Sequence, residues 1–169
     1  MASATVKIEK LMNKKEKLKW YKEEFEKISK EINEKNSLTH HDFLRIRNFK
    51  LQNSTIEEEI NIKKITSEAF ILAKDDKIKE AIIKLVELNG VAIPIASTIL
   101  AMKFPDSYPI IDIRVLKELN KEEWIRENKY TKNPEIYEQF VFLMRKTKPS
   151  NKSLRDYERD LFERNSIES

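Results

Sequence analysis

The chain has 169 residues, of which 40% are hydrophobic and 37% charged, and its formal net charge of +4 permits nucleic-acid contact without requiring it. The absence of cysteine excludes disulfides and any iron–sulfur cluster held by thiolates. No apolar run approaches the roughly 18 residues of a membrane-spanning helix, and the N-terminal sequence lacks the apolar core of a secretory signal, so we expect a cytoplasmic protein with no membrane partner.

A long amphipathic helix, or two abutting ones, is predicted over residues 6–32. Its apolar residues recur three and four positions apart between lysines and glutamates, which is the spacing of one helix face. The charged surface of this helix is expected to be solvated and salt-bridged rather than to serve as a binding stripe. Trp20, beside Tyr21, is expected to be partly buried by packing.

Capping signals divide the next part of the chain into short helices. Thr39 with Asp42 forms a capping box, and Thr55 with Glu58 offers a second one. An acidic pair then precedes a helix predicted over 78–88. We therefore expect three consecutive helices with apolar faces between residues 40 and 88.

No metal site and no cofactor are predicted. His40 and His41 are the only histidines, and adjacent residues point away from each other on a helix. No third residue of a ligand type lies at metal-binding spacing from them. We therefore expect both to be surface residues.

The single glycine of the chain marks a tight turn at Asn89-Gly90. With no other glycine available, this turn is expected to be the one place where a positive φ is needed at low steric cost. Pro94 suits a first helical position, because its fixed φ and missing N–H fit the start of a helix. Apolar residues then recur on one face, which predicts a helical hairpin: Ile95, Ala96, Ile99 and Leu100.

Asp112 is predicted to begin a further helix. Residues 103–111 contain two prolines and no helical period, which predicts an ordered loop. Asp112 follows this loop and precedes an amphipathic turn, which is the position of an N-cap residue. An aspartate in this place can act as a cap alone, and that alternative stays open.

The C-terminal third is predicted to contain short helices that begin at capping residues. Asn120 with Glu123 suits the start of a short segment, and Asn133-Pro134 suits the start of a longer helix. Ser153 is expected to cap the last helix.

The pattern as a whole predicts an all-α fold. No convincing strand, repeat or low-complexity tract is present. We expect a single helical domain over residues 1–169, with eight to ten helices in two lobes joined through the hairpin. The hairpin and the aspartate segment occupy residues 78–119.

The hairpin and Asp112 together resemble the helix-hairpin-helix plus aspartate signature of the base-excision DNA glycosylase superfamily (HhH-GPD). Asp112 lies 18 residues after Pro94, which is the family's spacing between that position and its essential acid. The match covers about the middle fifth of the chain, and the segment 153–159 also resembles the closing helix of small members. The matching residues are Leu88-Asn89-Gly90-Val91-Ala92-Ile93-Pro94-Ile95-Ala96, Ile99-Leu100 and Ile111-Asp112-Ile113-Arg114-Val115.

This resemblance implies a DNA repair function. The hairpin residues Gly90, Val91, Ala92 and Pro94 would bind a phosphate of double-stranded DNA, and Asp112 would be the catalytic carboxylate. Pro94 stands where bifunctional members carry a Schiff-base lysine, and without an amine a covalent lyase route has no nucleophile. The resemblance therefore implies a monofunctional glycosylase, which hydrolyses the N-glycosidic bond of a damaged base.

Four aromatic residues are candidates for the lining of a base pocket: Trp20, Tyr21, Tyr108 and Trp124. Tyr108 precedes a proline and is expected more readily as an ordinary loop packing residue.

Two other functions stay open: a non-catalytic DNA-binding helix-hairpin-helix module and a helical protein-interaction domain. Segment 74–117 carries seven cations against six anions, so it is nearly neutral. Phosphate binding there would depend on backbone N–H groups and a few cations.

Overall fold

The computed structural model describes residues 13–50 and 58–168, with only the backbone described at 166–168. This part of the chain is all-helical, as predicted, and none of its helices is both long and apolar enough to cross a membrane. Besides a 3₁₀ turn at Arg126–Asn128, it contains α1 Lys14–Ile32, α2 His40–Lys50, α3 Glu59–Lys74, α4 Ile78–Leu85, α5 Ile93–Lys103, α6 Ile113–Glu118, α7 Glu122–Ile125, α8 Lys129–Lys132, α9 Pro134–Thr147 and α10 Leu154–Glu168.

Helix α5 lies at the centre of the core. Every residue of α5 except Pro94 is buried, whereas the sequence pattern predicted only one apolar face. A helix that is apolar all round must be covered on all sides, and α1, α2, α4 and α8 pack against it. The hydroxyls of Ser97 and Thr98 are satisfied within the helix, because each donates to the Pro94 carbonyl.

The predicted hairpin is present as α4, a turn and α5. Gly90 has φ 71°, as expected for a residue that needs the left-handed region. The expectation that only this turn would need positive φ is wrong, because four other described residues also have it. Three of them are aspartate or asparagine, which visit this region more readily than other residues with a side chain. The four are Asp76, Asn120, Glu127 and Asn128.

Several predicted caps are confirmed. The N–H of Thr39 donates to the Asp42 carboxylate at 3.0 Å, and the N–H of Asp42 donates to the Thr39 hydroxyl at 3.1 Å. The side chains of Asn133 and Ser153 accept hydrogen bonds from backbone N–H groups in the first turns of α9 and α10. These caps satisfy donors that the helix itself leaves without partners.

Other predicted helix starts differ from the structure. Asn120 does not cap α7, because Lys121 is the N-cap residue and Asn120 adopts positive φ. Helix α4 ends at Leu85, so it is shorter than the predicted 78–88. The cap at Thr55 lies outside the described residues.

Lys103, the last residue of α5, closes the C-terminal end of α1. Its side chain is buried, and its Nζ donates to the carbonyls of Ile32, Asn33 and Lys35. Carbonyls at this end of a helix have no partner within the helix, and a positive charge suits the negative end of the helix dipole. The ammonium also lies 5.3 Å from the centroid of the Phe70 ring.

We expect Lys103→Met to lower the free energy of unfolding by about 2 kcal/mol, because it leaves buried carbonyls without a charged donor. Chemical denaturation followed by circular dichroism measures this change. Lys74→Met is the control, because Lys74 is the exposed last residue of α3. Equal destabilisation by both substitutions would contradict the capping role of Lys103.

Candidate functional site

A cleft of about 430 Å³ contains Asp112. It lies between α1, the end of α2, the segment that precedes α6, and α10. This volume is within the range of roughly 300–1,000 Å³ typical of small-ligand sites. The described residues that line the cleft are Lys14, Lys17, Leu18, Tyr21, Lys22, Phe49, Lys50, Ile110, Asp112, Arg114, Arg155, Glu158, Arg159, Phe162 and Glu163.

Asp112 caps α6, as predicted, and its side chain also faces the cleft. One carboxylate oxygen accepts the N–H of Arg114 at 2.8 Å. The other accepts a hydrogen bond from the Lys50 ammonium at 2.8 Å. The side chain of Asp112 is 12% exposed, so the carboxylate is mostly shielded but not sealed from solvent.

The charge of Asp112 is stabilised by its partners. Burial raises the pKa of Asp112, but the charge and hydrogen bond of Lys50 and the N–H of Arg114 lower it. The lowering effects prevail, so the pKa of Asp112 lies below its ordinary value of 3.8. The site therefore holds an ionised carboxylate at neutral pH.

We expect Lys50→Met to raise the pKa of Asp112. Because the folded-state pKa is depressed, the carboxylate stabilises the fold above the unfolded-state pKa, and this contribution is lost as pH falls through the folded-state pKa. In the parent protein that loss lies below pH 3.8, and Lys50→Met should make it smaller, because a folded-state pKa closer to the unfolded-state value leaves less stability to lose. Carboxyl NMR titration, with Asp112→Asn to assign the resonance, measures both values. An unchanged Asp112 titration would show that Lys50 does not determine it.

Helix α2 connects the hairpin turn to Asp112. The buried Arg47 guanidinium donates to the Gly90 carbonyl at 3.4 Å, and Lys50 bonds Asp112 from the next turn of the same helix. Positions three apart share one helix face and are separated by about 4.5 Å along the axis. The hairpin turn and Asp112 therefore lie on the same side of α2.

Two further hydrogen bonds fix the segment that precedes Asp112. The N–H of Ile111 donates to the Ser97 hydroxyl at 3.1 Å, which joins this segment to α5. The N–H of Ile110 donates to the Glu158 carboxylate at 2.7 Å, which joins it to α10. Glu158 is 4% exposed, so this carboxylate is held inside the protein. The backbone that precedes Asp112 is thus held by hydrogen bonds to both α5 and α10.

The predicted phosphate-binding residues are not equivalent. Gly90 and Ala92 are exposed, and Ala92 is the N-cap residue of α5. Val91 is buried, and its N–H already donates to the Leu88 carbonyl at 3.2 Å. Pro94 is half-buried and is the second residue of α5, one position later than predicted. The exposed residues of the turn among these four are therefore Gly90 and Ala92.

The four candidate pocket aromatics separate into one cleft residue and three that lie elsewhere. Tyr21 lines the cleft, whereas Trp20 packs beside it with ring centroids 5.1 Å apart. Tyr108 lies in the core, where its hydroxyl donates to the Ala73 carbonyl at 2.6 Å and burial raises its pKa to about 12. Trp124 is half-buried and is not among the described lining residues.

Several cleft residues could not be recognised from the sequence. Phe49 and Lys50 lie at the end of α2. The sequence pattern there predicts only a helix with an apolar face and does not indicate a cleft. Phe162 lies on α10. The sequence pattern predicts this helix but not which of its residues face the cleft. Tyr130 also lies in the electrostatic reach of Asp112, since burial and then the Asp112 charge raise its pKa. No local spacing connects these residues to Asp112.

The positive charge of the chain is concentrated at the cleft. Seven basic and three acidic residues line its described walls, a formal excess of four positive charges. Because the whole chain has 33 basic and 29 acidic residues, the remainder is formally neutral. Such a concentration favours a polyanionic ligand.

Comparisons were made with protein-family models, curated proteins and solved structures, and the chain matches none of them. Among the side chains that the structure describes, at residues 13–50 and 58–165, no three acidic or histidine groups lie together in a way that could hold a metal ion. The function is therefore inferred from the chemistry of the site rather than from relatives.

Proposed function

We propose that this protein is a DNA glycosylase of the helix-hairpin-helix type, with two helical lobes joined through the hairpin, and that it hydrolyses the N-glycosidic bond of a damaged base. Asp112 is the catalytic carboxylate in this proposal. The observation that supports it is an ionised carboxylate in a basic cleft, held on the same side of α2 as the hairpin turn.

The chemistry of the bond explains the need for such a carboxylate. Cleavage of an N-glycosidic bond develops positive charge on the sugar, and a fixed negative charge near the anomeric carbon lowers the barrier. The same carboxylate can orient the attacking water. Pro94 has no amine at the position where bifunctional members carry their Schiff-base lysine, so in this proposal water is the nucleophile and the product is an abasic site.

Lys50 also neutralises Asp112 before substrate binds. In this proposal the Lys50 ammonium leaves Asp112 and pairs with a DNA phosphate that binds at the cleft. The negative charge of Asp112 is then available to the sugar. Lys50 keeps an anionic partner throughout this exchange, and the positive charge that develops on the sugar replaces the ammonium as the partner of Asp112. DNA binding and activation of the carboxylate are then one event.

Removal of a base also requires that it leave the stack, which costs a few kcal/mol and needs a pocket beside a backbone grip. The exposed residues Gly90 and Ala92, at the positive end of α5, are suited to bind a phosphate. The cleft offers the aromatic side chains of Tyr21, Phe49 and Phe162 to an extruded base.

A panel of DNA duplexes, each with one alkylated, deaminated or oxidised base, tests the proposal. Incubation followed by alkaline cleavage reveals abasic sites as shortened strands. We expect at least one lesion to give a product with the parent protein and far less product, after the same time, with Asp112→Asn. No product from any duplex, or an equal product from Asp112→Asn, would refute the proposal.

A non-catalytic DNA-binding module is the second candidate. It is favoured by the complete structural role of Asp112, which caps α6 with one oxygen and pairs with Lys50 through the other. This candidate predicts salt-sensitive DNA binding without release of any base. Absence of both binding and base release would instead indicate a helical protein-interaction domain.

A further inference from the structure

One face of α1 forms a wall of the cleft. Its residues recur at intervals of three and four, so they lie along a single stripe of the helix. The stripe consists of Lys14, Lys17, Leu18, Tyr21 and Lys22. The sequence pattern alone favoured a solvated surface for this helix, but the structure turns these three lysines toward the same space as Asp112.

These lysines differ from the other cations of the cleft, all of which are paired with a carboxylate. In the described part of the chain, none of the three ammonium groups forms an ion pair. By contrast, Lys50 is paired with Asp112, and Arg155 with Glu158. The stripe therefore carries positive charge that the described part of the protein does not neutralise.

The acidic residues of α1 do not line the cleft, although Glu26 pairs with the cleft residue Arg159 of α10. Glu24 and Glu31 both pair with Arg45 of α2, and Glu23 pairs with Lys19 on the side of α1 away from the cleft. The cleft face of α1 is thus sorted by charge: it carries three lysines and no glutamate, although other lysines of α1 lie away from the cleft. Such sorting is typical of a surface that meets an anion.

We propose that Lys14, Lys17 and Lys22 contact successive phosphates of the DNA strand that lies in the cleft. The identity of the polyanion rests on the proposed function, but the contact itself requires no catalysis. Tyr21 stands between the lysines on the same stripe, as in surfaces where aromatic rings alternate with cations along a strand. The hairpin and the stripe then contact the same strand.

The salt dependence of binding to an undamaged DNA duplex tests this contact. Each neutralised phosphate contributes about 0.9 to the slope of log K against log salt concentration, so loss of three contacts should reduce the slope by about 2.7. The test protein carries Lys14→Gln, Lys17→Gln and Lys22→Gln together. Its affinity near 0.1 M salt should fall on the order of 100-fold.

A matched control removes three charges from the opposite face of the same helix. Lys19→Gln, Lys27→Gln and Lys30→Gln change the net charge equally, at exposed positions that do not line the cleft. The control should keep the slope of the parent protein. Circular dichroism and thermal unfolding verify that both triple variants are folded.

The possible outcomes separate this proposal from the glycosylase proposal. A reduced slope for the stripe variant alone supports the contact, whether or not any base is released. Equal slopes for both variants, or no binding of duplex DNA by the parent protein, overturn it. If the parent protein releases a base while the stripe variant retains the full slope, only the contact is refuted.

Discussion

Asp112→Asn is expected to lower the rate of base release by about 100- to 1,000-fold, the loss typical when a charge-stabilising group is removed from an active site. Asparagine has nearly the same shape, and its side-chain oxygen can still accept the N–H of Arg114. What it lacks is the negative charge that opposes the positive charge on the sugar. The rate constant under single-turnover conditions measures this effect without interference from product release.

The control for this variant is Asp106→Asn. Asp106 is exposed in the loop that precedes Asp112 and does not line the cleft, so the same chemical change there should leave the rate unchanged. Asparagine is also a good N-cap, so the loss of stability in Asp112→Asn should be limited to that of the broken Lys50 ion pair and should leave the protein folded. A large loss of stability together with activity would show that Asp112 is only a structural cap.

Glu158→Ala is expected to lower the free energy of unfolding by about 3 to 4 kcal/mol, the usual cost of breaking a buried ion pair by removing one partner. Glu158 accepts the N–H of Ile110 and pairs with the mostly buried Arg155, whose guanidinium lies 3.7 Å from the Phe25 ring centroid. The substitution leaves a cation and a backbone donor without their acceptor. Denaturant unfolding measures the change.

Two controls separate the roles of Glu158. Glu158→Gln retains an oxygen that can accept the N–H of Ile110, so it should cost less than Glu158→Ala. Glu23→Ala breaks an exposed ion pair with Lys19, and such pairs contribute only about 0–1 kcal/mol. If Glu158→Ala costs no more than Glu23→Ala, the carboxylate does not anchor the segment before Asp112. Amide exchange at Ile110 provides a second, local measurement.

Much of the helical order could be predicted because it depends on local signals. The caps at Thr39, Asp112 and Asn133 are set by residues two or three positions away, and apolar spacing identifies the buried faces. Predictions were wrong where the same residue type suits two different local structures. Asn120, for example, has a side chain suited to a cap, but it also tolerates positive φ and is used in that way.

The cleft could not be predicted in the same way, because its contacts join distant parts of the chain. Lys50 and Asp112 are separated by 62 positions, and Ile110 and Glu158 by 48. Tyr108 shows the same limit. A tyrosine before a proline suits either a pocket or a core, and only the position of the Ala73 carbonyl decides between them.

The complete enclosure of α5 has a consequence for how the protein gains its site during folding. The apolar surface of α5 stays exposed to water until α1, α2, α4 and α8 have all packed against it. The Ser97 hydroxyl, which accepts the N–H of Ile111, belongs to the same helix. A partly assembled chain therefore lacks the anchor of the Asp112 segment altogether. The cleft should form in the same cooperative step as the core, with no half-built species able to hold a ligand.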